Sequence, residues 1–223
     1  MSDEMTTPST RSLAALPDVA TVRRISQAVA MLEAILSPEW EARYYSFDGA
    51  WGPGEEMASM RDGSGDEYFI LFGSAGAIMK GFAHEAAMSP YRTDPPRVWP
   101  GIYEAVPDAF ESFLREPAFA PEDVTFCIWR TGQDRVWQCG VADFPAGPDP
   151  DGSEELLRIF DARPDTYRRF AEQYYETRVP LESVERFYRL APLTDELVAG
   201  LNPALRAADV ESDAVEIGYP RGA

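Results

Sequence analysis

The sequence predicts an α+β fold: an N-terminal helix, then an antiparallel β-meander sheet, then a C-terminal bundle of short helices. Apolar residues recur at helical spacing between residues 19 and 35. Short β-like segments joined by glycine-rich links follow between residues 42 and 82. From about residue 153 onward, prolines separate several helical segments. A chain of 223 residues is long enough to bury one sizeable core.

The first helix is predicted from a broad apolar stripe. Asp18 is a suitable N-cap residue and Pro38 ends the pattern. A stripe this wide favours packing against a sheet. Residues 1–16, which are mostly polar, are predicted to form an N-terminal arm. The stripe consists of Val19, Val22, Ile25, Val29, Leu32 and Ile35.

Four strands are predicted after this helix, and tight glycine-containing links make the last three antiparallel neighbours. The link "GSAG" at 73–76 fixes a register in which Phe69 pairs with Lys80 and His84 lies opposite Gly65. The four segments are "ARYYSF" (42–47), "EMASMR" (56–61), "EYFILF" (67–72) and "AIMKGF" (77–82).

The second half of the chain is predicted to contain a helix ending near residue 116, a hairpin and four short helices. The predicted domain organisation is a single α+β domain over 17–208, helical from about 153, followed by an acidic tail over 209–223. The hairpin strands are 123–130 and 135–141, and the short helices are 153–161, 165–176, 181–190 and 194–201.

The two cysteines fall on the predicted hairpin. Its register places Cys127 opposite Cys139 and Trp129 opposite Trp137, on one face of the sheet. Such a group is either a buried cluster of thiols and aromatic rings, or a redox pair or ligand pair for a soft metal. In a cytosolic protein both thiols are expected to be reduced.

The charge balance limits the classes of partner. The formal net charge is −18 at pH 7, which repels nucleic-acid phosphates and anionic lipid headgroups. We therefore expect no nucleic acid and no membrane as partners, and a basic protein as a possible one. The sequence contains no secretory leader and no apolar run of membrane-spanning length, which favours a cytoplasmic protein.

No established cofactor or metal motif is found. There is no phosphate-binding loop, no dinucleotide fingerprint and no G-x-S-x-G element. "HE" at 84–85 has no second histidine to complete a zinc site, because the chain contains a single His. We therefore predict no cofactor and no metal site.

The candidate site is the segment "KGFAHE" (80–85), which contains the only lysine and the only histidine of the chain. The predicted register brings His84 and Glu85 to the turn "RDGSGD" (61–66). The candidate binding residues are Arg61, Asp62, Ser64, Asp66, Lys80 and His84, and the candidate catalytic residues are His84 and Glu85. The same groups also suit a set of hydrogen bonds that merely ties a loop to a turn.

Several strings resemble those of an uncharacterised bacterial protein family, a resemblance that implies no particular activity. The order of helix, antiparallel meander and helices is also similar to that of SUKH-type immunity proteins. That second resemblance implies a cytosolic protein that binds and neutralises a toxin. The strings are "MASMRDGSGDEYFILFGSAGAIMKGFAHE", "MSPY", "VWPGIYEAVPDAFESFLREPAF", "TFCIWR" and "DGSEELL".

Two functions remain open on the sequence. One is a non-catalytic binding protein, immunity-like, that presents an acidic surface to a protein partner. The alternative is a small-molecule enzyme with His84 as acid/base, Glu85 or Asp66 orienting it, and Lys80 or Arg61 holding an anion. A pocket around His84 would favour the enzyme, and a flat acidic face would favour the binding protein.

Overall fold

A computed structural model describes residues 6–222 and has the predicted α+β fold. The helices are α1 (Val19–Leu36), α2 (Glu111–Arg115), α3 (Ser153–Leu156), α4 (Pro164–Tyr174), α5 (Leu181–Tyr188), α6 (Asp195–Ala199) and α7 (Glu211–Ile217). The strands are β1 (Tyr45–Gly52), β2 (Glu55–Arg61), β3 (Glu67–Gly73), β4 (Gly76–Phe82), β5 (Phe126–Thr131) and β6 (Gln138–Cys139). No helix in the described part of the chain is long and apolar enough to cross a membrane.

Strand β1 pairs with β2, and strands β3 to β6 pair with one another in chain order. The pairings β1–β2, β3–β4, β4–β5 and β5–β6 are all antiparallel. In the central hairpin Phe69 pairs with Lys80 and Gly73 with Gly76, so the predicted register is confirmed. The tight turn formed by the "GSAG" link favours this alignment of two strands that are each seven residues long.

The register of the last hairpin is one residue away from the prediction. Cys139 pairs with Ile128, and Gln138 pairs with Trp129. The predicted oppositions of Cys127 with Cys139 and of Trp129 with Trp137 are therefore wrong. β6 is only two residues long, and the indole of Trp137 is buried and donates its Nε1 hydrogen to the Pro17 carbonyl.

The chain divides into two compact units, each made of two segments. Residues 6–19 and 61–161 form the first unit, and residues 20–60 and 162–222 form the second. The first unit contains strands β3 to β6, and the second contains α1 and the helices from α4 onward.

In the first unit, the segment predicted as a polar arm is anchored where the structure describes it. Thr10 is buried, and its hydroxyl donates to Asp151 Oδ2 at 2.6 Å. The Thr10 amide donates to Ser153 Oγ at 3.0 Å. Residues 10–15 form short 3-10 turns interrupted by a kink at Ser12. Part of the predicted arm, residues 1–5, lies outside the described residues.

In the second unit, the segment predicted as an acidic tail folds back as α7. Ala214, Ile217 and Tyr219 are buried, and α7 lies against β1. Three apolar side chains at spacings of three and two residues were too weak a periodic signal for a helix prediction.

The core of the second unit also contains a carboxyl group. Glu33, in the middle of α1, has no exposed surface. It accepts hydrogen bonds from the hydroxyls of Tyr167 at 2.7 Å and Tyr175 at 2.5 Å, and from the Tyr44 amide at 2.8 Å. Burial raises the pKa of Glu33, and these hydrogen bonds oppose the rise. An acidic residue inside an apolar helix stripe is thus accommodated by three donors.

Candidate functional site

His84 and Asp66 lie together where the register of the central hairpin places them. The Asp66 carboxylate atom Oδ1 lies 2.8 Å from both the His84 amide nitrogen and the ring nitrogen Nδ1. The other ring nitrogen, Nε2, lies 3.3 Å from Glu85 Oε1. The imidazole therefore bridges two carboxylates, and its side chain is 38% exposed.

The turn that receives His84 is organised by Asp62. Its Oδ1 accepts hydrogen bonds from the amides of Ser64 at 2.7 Å, Gly65 at 3.0 Å and Asp66 at 3.0 Å. Burial acts to raise the pKa of Asp62, but the hydrogen bond from the Ser64 hydroxyl to Oδ2 and these amide hydrogen bonds outweigh it, so the pKa is lowered. A Cβ atom on Gly65, whose φ is +121°, would lie 3.2 Å from the His84 ring, so glycine suits this position on both counts.

The two carboxylates favour the charged imidazolium. The hydrogen bond to Asp66 raises the pKa of His84; burial acts in the opposite direction, and the charges of Asp66, Glu85 and Asp62 add to the rise. Since the folded pKa is above the unfolded one, the stabilisation by this contact is complete below about pH 6.5. It is lost as the pH rises through the folded pKa.

We predict that the pKa of His84 lies above 6.5 and that Asp66→Asn lowers it. The imidazole signals can be followed by NMR from pH 5 to pH 9 on protein without a histidine tag. The assignment is direct, because the chain has one His. Glu182→Gln, in the other unit, is the control and leaves the titration unchanged. An unshifted His84 in the wild type, or one that does not respond to Asp66→Asn, would contradict the pairing.

Lys80 is not part of the His84 cluster. Its side chain is only 1% exposed. Its Nζ donates to the backbone carbonyls of Ala120 at 2.7 Å and Asp123 at 2.5 Å, and lies 3.6 Å from Glu67 Oε1. Burial lowers the pKa of Lys80, and neighbouring acidic groups oppose that change. The ammonium is enclosed by its own chain.

Arg61 contacts Glu67 and Phe69. Its Nε lies 3.7 Å from Glu67 Oε2, and its guanidinium lies 5.1 Å from the centre of the Phe69 ring. Glu67 therefore forms ion pairs with Arg61 and Lys80, the two cationic residues that were predicted to belong to the binding site. Sequence reasoning missed Glu67, although its place at the start of β3, opposite Phe82, follows from the predicted register.

A further group of exposed side chains extends this polar region. Tyr91 is 58% exposed, and its hydroxyl donates to Asp123 Oδ1 at 2.7 Å. That hydrogen bond raises the pKa of Tyr91, and the charges of Asp123 and Glu122 act in the same direction. Arg92 pairs with Glu85 at 3.0 Å, which links this group to His84. We call the exposed surface formed by His84, Glu85, Tyr91, Arg92, Glu122 and Asp123 the Tyr91 face.

The thiols line a separate pocket of the first unit. Cys127 is buried and Cys139 is half-buried, and both are free. The pocket has about 210 Å³ of empty space, part of it open to solvent, and Asp151 also lines it. Burial raises the pKa of each thiol, which disfavours thiolate chemistry. Within residues 6–222 no cluster of three or more His, Cys, Asp or Glu side chains has the arrangement of a metal site.

Comparisons with known proteins give no relative from which to transfer a function: no family model, no curated protein and no solved structure matches this chain.

Proposed function

We propose that this chain is a non-catalytic binding protein whose Tyr91 face takes up a basic protein partner. The observation that carries the proposal is the exposed tyrosine held by a carboxylate in acidic surroundings. Tyrosine supplies a large contact area with few rotatable bonds and is enriched among the residues that dominate binding energy. The hydrogen bond to Asp123 fixes its ring before any partner arrives.

The charge distribution supports a basic partner. Residues 61–161 contain 18 Asp and Glu against eight Lys and Arg. One of those eight, Lys80, is buried, and Arg92 is paired with Glu85. Glu122 is exposed beside Tyr91 and has no ion-pair partner among the described residues. A face of this kind attracts a positively charged surface and accelerates its association.

The geometry of His84 gives less support to the enzyme alternative. A general base needs a ring nitrogen with a free lone pair, and both His84 nitrogens face carboxylates. Lys80, the proposed anion holder, donates to two backbone carbonyls of its own chain and is enclosed. The remaining groups form a charged surface network, which suits recognition of another surface better than catalysis.

We expect Tyr91→Ala and Glu122→Arg each to weaken partner binding by about tenfold or more. The partner is first captured from the native host with the wild-type chain, then purified and titrated by calorimetry. Tyr91→Ala removes the aromatic anchor, and Glu122→Arg reverses a charge that attracts the partner. Binding by the wild type should also weaken as salt is raised.

Glu182→Arg is the matched control, because Glu182 is an exposed carboxylate at the start of α5, in the other unit. It should leave the affinity within about twofold. If Glu182→Arg weakens binding as much as Glu122→Arg, the attraction is a general charge effect and the Tyr91 face is not the site. An acidic partner, or affinity that is insensitive to salt, would also contradict the proposal.

We further propose that the partner is a toxin that this chain neutralises, which is what the resemblance to SUKH-type immunity proteins implies. Co-expression provides the test. The captured partner alone should arrest growth, the wild-type chain should restore it, and the double variant Tyr91→Ala/Glu122→Arg should not. A partner that leaves growth unaffected would contradict this role and leave the binding proposal standing.

A further inference from the structure

A second pocket lies wholly within the second unit and has a buried, apolar floor. It is a shallow depression, because most of its empty space of about 220 Å³ is open to solvent. Four buried side chains line it, Ala30, Tyr45, Phe47 and Ile217. We call it the Trp40 pocket, after the indole that lines it and is 52% exposed.

The charged side chains of the pocket are unequally paired. Arg43 donates to the carbonyls of Ser37 and Pro38, both at 2.9 Å, and to Asp213 Oδ1 at 2.5 Å. Arg43 is therefore fully paired within the unit, and its positive charge balances the negative charge of Asp213. Glu216 is exposed at the pocket and has no hydrogen-bond or ion-pair partner among residues 6–222.

The surroundings of Glu216 favour a cation. Burial raises the pKa of Glu216, the charges of Asp48 and Asp213 raise it further, and Arg43 only partly opposes them. A positive group that paired with Glu216 would relieve this repulsion. Trp40, whose indole is 52% exposed, lines the same pocket, and the attraction between a cation and an aromatic ring is strongest for tryptophan.

Three properties of the pocket match one side chain. The apolar floor suits an aliphatic stem, the indole suits a planar cationic head that stacks on it, and Glu216 suits two parallel N–H donors. Lysine has a stem and a charge but no planar head and no fork of donors. Arginine has all three.

We propose that the Trp40 pocket receives an arginine side chain presented by a basic protein. The proposal goes beyond the Tyr91 face: it involves a different unit, and its test needs no captured partner. A negative result for one of the two proposed sites therefore does not contradict the proposal for the other.

The test uses N-acetyl-L-arginine methylamide as the probe and the tryptophan indole NMR signals as the readout. The chain has five tryptophans, and the Trp40 signal is the one lost in Trp40→Phe. We expect the probe to shift this signal in a saturable manner. N-acetyl-L-citrulline methylamide, which has nearly the same shape without the charge, should bind at least about tenfold more weakly.

Glu216→Gln should also weaken the arginine probe by about tenfold, whereas Glu182→Gln should leave the titration unchanged. Both positions are exposed, so both variants should fold, which far-UV circular dichroism checks. The proposal is overturned if the Trp40 signal does not move at up to about 50 mM probe, or if citrulline binds equally well. It is also overturned if free L-arginine binds much more tightly than the blocked probe, since that would indicate a site for the amino acid itself.

Discussion

Replacing Glu33 by alanine is expected to lower the free energy of unfolding by about 3–5 kcal/mol. The wild-type carboxyl accepts two phenolic hydroxyls and one backbone amide in a site without exposed surface. Alanine removes the acceptor that these three hydrogen bonds share. It also leaves a cavity next to the hydroxyl of the buried Tyr167.

Urea denaturation followed by near-ultraviolet circular dichroism measures the effect. Glu39→Ala is the matched control, because Glu39 is an exposed carboxylate six residues along the chain whose side chain makes no cap hydrogen bond. It should change the unfolding free energy by less than about 0.5 kcal/mol. A loss of less than about 1 kcal/mol for Glu33→Ala would mean that the three hydrogen bonds contribute little.

The variant Glu33→Gln separates the effect of the hydrogen bonds on stability from the effect of ionising the carboxyl group. The pKa of Glu33 is raised above its ordinary value of 4.5, so the native state binds this proton more tightly than the unfolded state. The associated stabilisation is complete below about pH 4.5 and is lost as the pH rises through the folded pKa. Glutamine does not titrate. The unfolding free energy of the wild type should therefore fall relative to that of Glu33→Gln as the pH rises from about 4 toward neutrality.

The parts of the fold that the sequence predicted are those set by local chemistry. Eighteen residues of helical periodicity gave α1, and a four-residue glycine-containing link gave the β3–β4 register. From that register alone His84 could be placed beside the 61–66 turn, and the contact with Asp66 follows from it. Short loops leave few alternatives, so local reasoning succeeded there.

What the sequence did not predict depends on contacts between distant residues. Lys80 bonds to carbonyls that are 40 and 43 residues away, in a segment with no periodic pattern. Glu33 is held by tyrosines more than 130 positions along the chain. The longer link before β6 left room for the one-residue error at Cys139. The burial of a lysine or a glutamate cannot be predicted from the neighbouring sequence, because it depends on hydrogen-bond partners that are distant along the chain.

Replacing Lys80 by methionine is the other substitution with a large expected effect, a loss of about 2–4 kcal/mol in unfolding free energy. Methionine fills most of the volume but donates nothing. The carbonyls of Ala120 and Asp123 lose their bonds to the ammonium, and Glu67 loses a charge partner. Relief of the buried charge offsets part of this loss, since burial disfavours the ammonium and lowers its pKa.

Arg115→Met is the matched control, because it also exchanges one positive charge for methionine, but at an exposed pair with Glu111 in the same unit. Exposed pairs contribute about 0–1 kcal/mol, so this variant should remain close to the wild type. If both variants lose the same amount in urea denaturation, the enclosed position of Lys80 has no energetic consequence.

Lys80→Met should also weaken partner binding, although Lys80 is buried and does not contact the partner itself. Lys80 holds the backbone carbonyl of Asp123, whose carboxylate in turn holds the Tyr91 hydroxyl. Without the ammonium, the amides of residues 120 and 122–124 should exchange hydrogen faster, and the Tyr91 ring should lose its fixed position. Because ordering a side chain on binding costs free energy, partner affinity should fall while the carboxylates of the face are unchanged. Unchanged exchange at these amides would show that Lys80 does not organise the Tyr91 face.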